Sequence, residues 1–168
     1  GVDSDDKPKY LANFALDRRS VFFNYPEQGS SVIAVVEGEM DALTATAAGI
    51  PGVVAIGGSE IAGERKHQVE VALASGTRSI ILCPDLDSTT ADDGAAVPDH
   101  AKRLKAVMHS VHTIKDIDIE FDSIYVTVFD KPTDPDEFIR KRGGDAFIKL
   151  LRDALPWWEY IYKVKSKR

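Results

Sequence analysis

The sequence of 168 residues contains a single cysteine, Cys83. One thiol builds neither a disulfide nor a cysteine zinc cluster, which fits the cytoplasm. Cys83 sits inside an apolar run, where it reads as a small buried hydrophobe. No apolar run approaches the roughly 20 residues needed to cross a bilayer. The acidic, polar start shows no secretory leader, so no membrane partner is expected. Histidine is sparse: His67, His100, His109 and His112 have no ligand spacing with cysteine or with one another and read as surface residues. There is no Walker lysine motif, no Gly-x-Gly-x-x-Gly fingerprint and no Ser-His-Asp arrangement. Excess positive charge is also missing. A net charge of −6 lacks the field of a DNA-coating protein, although acids committed to a cation would not count against nucleic-acid binding.

What is present is a soluble-domain balance, 43% hydrophobic and 29% charged, with enough chain for one domain and a real core. Gly1–Lys7 reads as disordered, and the abrupt start fits a fragment of a longer protein. Basic residues cluster at Lys102, Arg103 and Lys105, at Arg140, Lys141 and Arg142, and at Lys163, Lys165, Lys167 and Arg168. Each cluster reads first as a solvated helix face or a frayed end. The functional alternative is contact with a nucleic-acid backbone.

Strand and helix signals alternate through the middle of the chain. Strands are expected at Val21–Phe23, Ser31–Val36, Pro51–Ile56, Ser79–Leu82 and Ser123–Phe129. Helices are expected at Met40–Ala48, closed by Gly49, and at Glu64–Ala74, with Val69, Ala72 and Leu73 inward and Gly76 at the end. Further helices are expected at Asp99–Met108, Pro135–Arg142 and Asp145–Ala154. Ser88–Pro98 reads as a polar loop, and Trp157–Val164 as a helical or extended tail whose tryptophans read first as packing residues, the alternative being exposed rings that stack on single-stranded bases. The alternation predicts an α/β fold with a mostly parallel sheet and crossover helices.

The informative residues are acids at the predicted strand ends. Glu37 follows Val-Ile-Ala-Val-Val, and Asp85-Leu86-Asp87 follows Ile-Ile-Leu-Cys-Pro. Ligands of open α/β sheets bind at such C-terminal ends. Side-chain direction repeats every two residues in extended chain, so Asp85 and Asp87 share a side. Carboxylates gathered there repel one another unless a cation holds them, and oxygen donors suit Mg²⁺ or Mn²⁺. Gly38 permits a sharp turn and close approach of a phosphate or base. Asp41, one helical turn beyond Glu37, looks back toward the same place. The plainer readings are acid at a helix N-terminus for Glu37–Asp41 and a solvated acidic turn for Asp85–Asp87. Asp134-Pro135-Asp136-Glu137 is a third acidic cluster; a helix N-cap accounts for one of its acids but not for three. Gly57-Gly58-Ser59 ends a strand and has backbone N–H groups that an anion can use. Asp92 and Asp93 read as solvent-exposed.

These residues together resemble the Toprim domain. The pattern is a strand then Glu37-Gly38-Glu39-Met40-Asp41, a strand ending in Gly57-Gly58-Ser59, and a strand ending in Asp85-Leu86-Asp87. Within that superfamily the chain is most similar to bacterial DnaG-type and phage, plasmid or mobile-element DNA primases. The supporting segments are Lys7-Pro8-Lys9-Tyr10-Leu11, Glu37–Ala42 followed by Ala47-Ala48-Gly49, Thr133–Phe138, and Gly144-Asp145-Ala146-Phe147. Topoisomerases and small Toprim nucleases lack the Asp-Pro-Asp block.

The resemblance implies a Toprim fold: a compact, mostly parallel four-stranded sheet flanked by helices, with a C-terminal helical extension. It divides the chain into a leading segment at 1–30 that is a remnant of a preceding subdomain, a Toprim domain at 31–130 and a helical extension at 131–168. It implies that Glu37, Asp85 and Asp87 are catalytic, and that with Asp41, Asp134 and Asp136 they hold Mg²⁺ or Mn²⁺. It assigns nucleic-acid or nucleotide contact to Lys9, Gly38, Gly57 and Gly58. The implied activity is nucleotidyl transfer that makes RNA primers on a single-stranded DNA template from NTPs, with a replicative helicase partner bound through regions outside this chain. Some Toprim proteins instead use the acid corresponding to Glu37 as a general acid or base. The rival readings are a Toprim-type metal-dependent nuclease, and a response-regulator-like or HAD-like module phosphorylated at Asp85; the latter leaves Glu37-Gly38 unexplained. The sequence departs from the primase pattern in the long Ser88–Pro98 loop, in Ser20–Gly29, and in having no zinc-binding module and little of the basic subdomain that grips template.

Overall fold

The run Val32–Val36 forms β1, and all but its first residue are buried, as a central parallel strand requires. The computed structural model describes residues 21–91, 95–117 and 123–166. Along the chain follow α1 (Glu39–Ala47), β2 (Val53–Ala55), a 3-10 turn (Gly63–Arg65), α2 (Lys66–Ala74), β3 (Ser79–Leu82), β4 (Ser88–Thr90) and β5 (Ala96–Pro98). Next come α3 (His100–Lys115), β6 (Ile124–Val126), α4 (Pro135–Arg142), α5 (Gly144–Arg152), β7 (Leu155–Pro156) and α6 (Trp157–Lys165).

The main sheet has the order β2-β1-β3-β6-β7. Its first four strands are parallel, and β7 adds a two-residue antiparallel edge. The expected four-stranded parallel sheet is thus present, with one short strand more. β7 is illegible beforehand because Leu155–Pro156 pairs only where the chain turns back along β6.

Alternation along the strands sorts the core into two faces. Ile33, Val35, Ile80 and Ile124 meet α2, α3 and α6, whereas Ala34, Val36, Val53 and Ala55 meet α1, α4 and α5. Small residues on the second face let α1 lie close through Ala42 and Ala45, both fully buried. Phe138 and Phe147 complete that side with ring centroids 6.1 Å apart. Full burial of each large apolar side chain contributes about 1.5–3 kcal/mol.

Several expected elements shift. Val21–Phe23 makes only an isolated antiparallel bridge, Phe23 to Ala55, while Phe22 enters the core. Ser88–Pro98 contains a β-hairpin, with β4 antiparallel to β5, because Ser88-Thr89-Thr90 pairs with Ala96-Val97-Pro98. The helix expected at Asp99–Met108 runs on to Lys115, since Val107, Val111 and Ile114 extend its buried stripe. Trp157–Lys165 is helical throughout; Trp157 packs against the core as expected, whereas Trp158 is 51% exposed. Lys9, Asp92, Asp93, Lys167, Arg168 and the Gly1–Lys7 segment lie outside the described residues.

Candidate active site

Strand order reverses between β1 and β3: β1 leads through α1 to β2 on one side, and β3 leads through α3 to β6 on the other. That switch point opens a crevice beyond the strands' C-terminal ends. Glu37 follows β1 directly, and Cys83 N–H donates to the Val35 carbonyl at 2.8 Å, carrying the pairing past the end of β3. The chain then brings Asp85 alongside, and its N–H donates to Glu37 Oε1 at 3.1 Å. Leu86 turns inward at 1% exposure, leaving Asp85 and Asp87 on the cleft side. Both line, with Glu37, a cleft of about 220 Å³ also bordered by Ser59, Lys102 and Lys105.

Burial dominates the electrostatics. Glu37 is pushed up to about 7, first by loss of water and then by Asp87 and Asp41, against the opposing hydrogen bond from Asp85. Asp85 is pushed up to about 8, again by burial first, with Glu37, Asp41, Asp134 and Asp87 adding repulsion. Its Oδ1 is buried with no hydrogen-bond partner. An orphaned carboxylate oxygen facing other acids is an unusual arrangement. Asp87 is more exposed and meets Lys102 Nζ at 2.6 Å.

The other acids serve the scaffold as well as the field. Asp41 is 7% exposed; its Oδ2 accepts from Gly38 N–H at 3.0 Å and its Oδ1 from Asp136 N–H at 2.9 Å. Asp134 caps α4, accepting from Glu137 N–H at 2.6 Å, and Pro135 occupies the first turn, where its missing N–H costs nothing. Asp136 Oδ1 accepts from Thr44 and from Arg140. All six acids therefore belong to one neighbourhood, but among the described residues no three are arranged as they stand to hold one metal ion. Glu37 Oε1 is held by the Asp85 amide and Asp87 by Lys102, so the carboxylates share a cleft without a preformed cage. The donor set nevertheless fits a hard divalent cation: it is all oxygen, and one buried oxygen lacks a partner.

Gly57 and Gly58 correct the sequence reading. Their N–H groups both donate to the Glu37 carbonyl, at 3.0 and 3.3 Å, and so hold the turn instead of facing an anion. A Cβ at Gly58 would lie 2.6 Å from the Arg65 guanidinium, the end of a flexible side chain that donates to the Gly57 carbonyl, so a larger residue there would displace that contact. Gly38 is similarly tight, with a Cβ position 3.0 Å from Asp41 Oδ2.

The basic cluster on α3 splits by direction. Lys102, Arg103 and Lys105 all border the cleft, but Arg103 is only 3% exposed and turns its guanidinium inward, so it is neither a solvated side chain nor an open backbone contact. The helical stripe through Arg103, Val107, Ser110 and Ile114 sets position 103 apart from its basic neighbours as inward. Cys83 is fully buried, and burial pushes its thiol up to about 12, in keeping with an inert filler. His67 and His109 are exposed, as expected.

A family model described as the Toprim domain matches residues 31–114. A DNA primase of Enterococcus faecalis is 25% identical over 154 residues, spanning 87% of this chain and 22% of that protein. A DNA primase of Listeria innocua is 25% identical over 166 residues, spanning 93% of this chain and 23% of that protein. The chain thus spans under a quarter of the curated relatives it matches. Among solved structures, a DNA primase domain from Pseudomonas aeruginosa superposes with TM-score 0.69 at 23% identity, over 95% of this chain and 47% of that one. A DnaG primase catalytic domain bound to single-stranded DNA superposes with TM-score 0.67 at 21% identity, over 91% and 46%.

Proposed function

This chain belongs to the Toprim family, and on that premise we propose that it is the catalytic Toprim domain of a cytoplasmic DNA primase. The reaction is nucleotidyl transfer: a primer 3′-hydroxyl attacks the α-phosphate of an NTP on a single-stranded DNA template, and pyrophosphate leaves. The observation that carries this reading is the Asp136 N–H to Asp41 contact at 2.9 Å, which joins the Asp134-Pro135-Asp136 block to the strand-end acids. That block separates primases from other Toprim enzymes in the resemblance drawn from the sequence. Similarity to DNA primases also runs past the family match at 31–114 into this region.

In this mechanism Glu37, Asp85 and Asp87 would hold a divalent ion, with Asp41, Asp134 and Asp136 deepening the negative field. Bound Mg²⁺ or Mn²⁺ would neutralise these acids, lower the pKa of the attacking hydroxyl and stabilise charge on the transferring phosphate. The chain's own part is preorganisation. The Asp85 amide fixes Glu37 Oε1, and the Gly57–Gly58 turn fixes the backbone behind it. Lys102 and Lys105 place positive charge on the cleft wall, where phosphate oxygens would approach. Lys9 and Gly38 are proposed to contact nucleotide or template, and the helicase partner to bind elsewhere in the full protein.

The test is template-directed primer synthesis by the full-length protein. Asp87→Asn is expected to abolish it at unchanged fold, and unchanged synthesis would reject the assignment. Template-independent cleavage of DNA without primer formation would favour the Toprim nuclease.

A further inference from the structure

Arg103 is 3% exposed, and its recorded contacts among the described residues are with neutral groups. Its Nε donates to the Pro84 carbonyl at 3.0 Å and its Nη2 to Thr127 Oγ1 at 3.1 Å. The guanidinium lies 5.0 Å from the Phe129 ring centroid and 5.7 Å from that of Tyr160. Burying a cation without a carboxylate partner is costly, and an apolar side chain of similar volume would fill the space without that cost. The charge therefore calls for a use beyond packing.

The use lies in which peptide it touches. The Pro84 carbonyl and the Asp85 N–H belong to one planar peptide unit. On one side of that unit Arg103 donates to the oxygen; on the other the N–H donates to Glu37 Oε1 at 3.1 Å. A cation at the carbonyl polarises the peptide and strengthens the N–H as a donor, as linked hydrogen bonds do. A buried guanidinium holds its direction through a planar fork, which a lysine lacks. Thr127 and Phe129 follow β6, and Tyr160 lies on α6, so two later parts of the chain set where the guanidinium points.

We propose that Arg103 is a positioning residue, acting through the Pro84–Asp85 peptide to hold the Glu37 carboxylate at the mouth of the cleft. The proposal rests on reading Glu37, Asp85 and Asp87 as the reacting end, and it makes α6 and the segment after β6 part of the machinery that orients that end.

The test is ¹⁵N–¹H NMR of the 168-residue chain with Arg103→Lys and Arg103→Met, together with Glu37→Gln. In the Arg103 variants the Asp85 amide proton is expected to move upfield and to exchange with solvent roughly one-and-a-half- to fivefold faster, because its bond to Glu37 is weakened, not lost. In Glu37→Gln the Arg103 Nε–H resonance is expected to move, although residue 37 does not touch Arg103. A purely structural arginine would lower the melting temperature and move the Asp85 amide shift through loss of the carbonyl contact, but would leave the Asp85 exchange rate, and the Arg103 Nε–H in Glu37→Gln, where they are. A folded Arg103 variant with wild-type Asp85 amide exchange overturns the proposal. Should neither variant fold, Glu37→Gln decides: an unmoved Arg103 Nε–H overturns it. Both signals are independent of primer synthesis. Moved signals in a full-length protein that makes no primers would leave the positioning role standing and sink the functional reading alone.

Discussion

The backbone N–H of Asp136 donates to Asp41 Oδ1 at 2.9 Å, across 95 positions of sequence. Asp41 also receives the Gly38 N–H at 3.0 Å and is nearly buried. One carboxylate thus pins the turn after β1 to the start of α4. Asp41→Ala leaves two amides without partners and is expected to cost about 2–4 kcal/mol, whereas Asp41→Asn keeps one acceptor and costs about 1–2 kcal/mol. Urea unfolding of both variants checks the order; equal losses would show that the two amides find water instead.

Glu37 and Asp85 make the metal-free chain more stable in mild acid. Their folded values, about 7 and about 8, lie well above the ordinary carboxylate range of roughly 4. The folded state therefore binds more protons than the unfolded state between roughly pH 4 and pH 8, and stability falls as pH rises through that window. The melting temperature in chelator is expected to be higher at pH 5.5 than at pH 8.5. Millimolar Mn²⁺ should shrink the difference by favouring the ionised acids. A flat or rising profile in chelator would show that the acids are well solvated.

Lys102 holds Asp87 at 2.6 Å, with both side chains about half exposed or more. Such a pair contributes little to stability, so Lys102→Met should leave unfolding within about 0.5 kcal/mol of wild type. Freed of its partner, Asp87 is expected to raise Mn²⁺ affinity about two- to fivefold. Titration of free Mn²⁺ by electron paramagnetic resonance measures this, and a weaker affinity would remove Asp87 from the ion-binding set.

Phe147 anchors α5 in the second core and is fully buried. Phe147→Ala is expected to cost about 3–5 kcal/mol. Because α5 lies behind α4 and lines no part of the cleft, Mn²⁺ affinity of the folded fraction should stay at the wild-type value. A parallel loss of affinity would show that the helical extension shapes the acids directly.

Much of the fold and site was legible because it depends on local chemistry. Val-Ile-Ala-Val-Val can be buried on both faces only as a central strand, Gly49 and Gly76 close helices with φ of 75° and 102°, and Asp134-Pro135 starts one. The acids at Glu37 and Asp85–Asp87 were visible because residues that follow buried parallel strands land at the sheet's ligand-binding edge. Direction and partnership were not visible. Gly57 and Gly58 spend their amides on the Glu37 carbonyl, Lys102 turns out to Asp87 while Arg103 turns in beneath Pro84, and Leu155–Pro156 becomes a strand. Sequence alone determined which residues carry oxygen, charge and apolar surface, and their order along the chain. Only the tertiary structure decided which of those charges lose water and which groups satisfy them, because burial and hydrogen bonding depend on neighbours that lie tens of residues away.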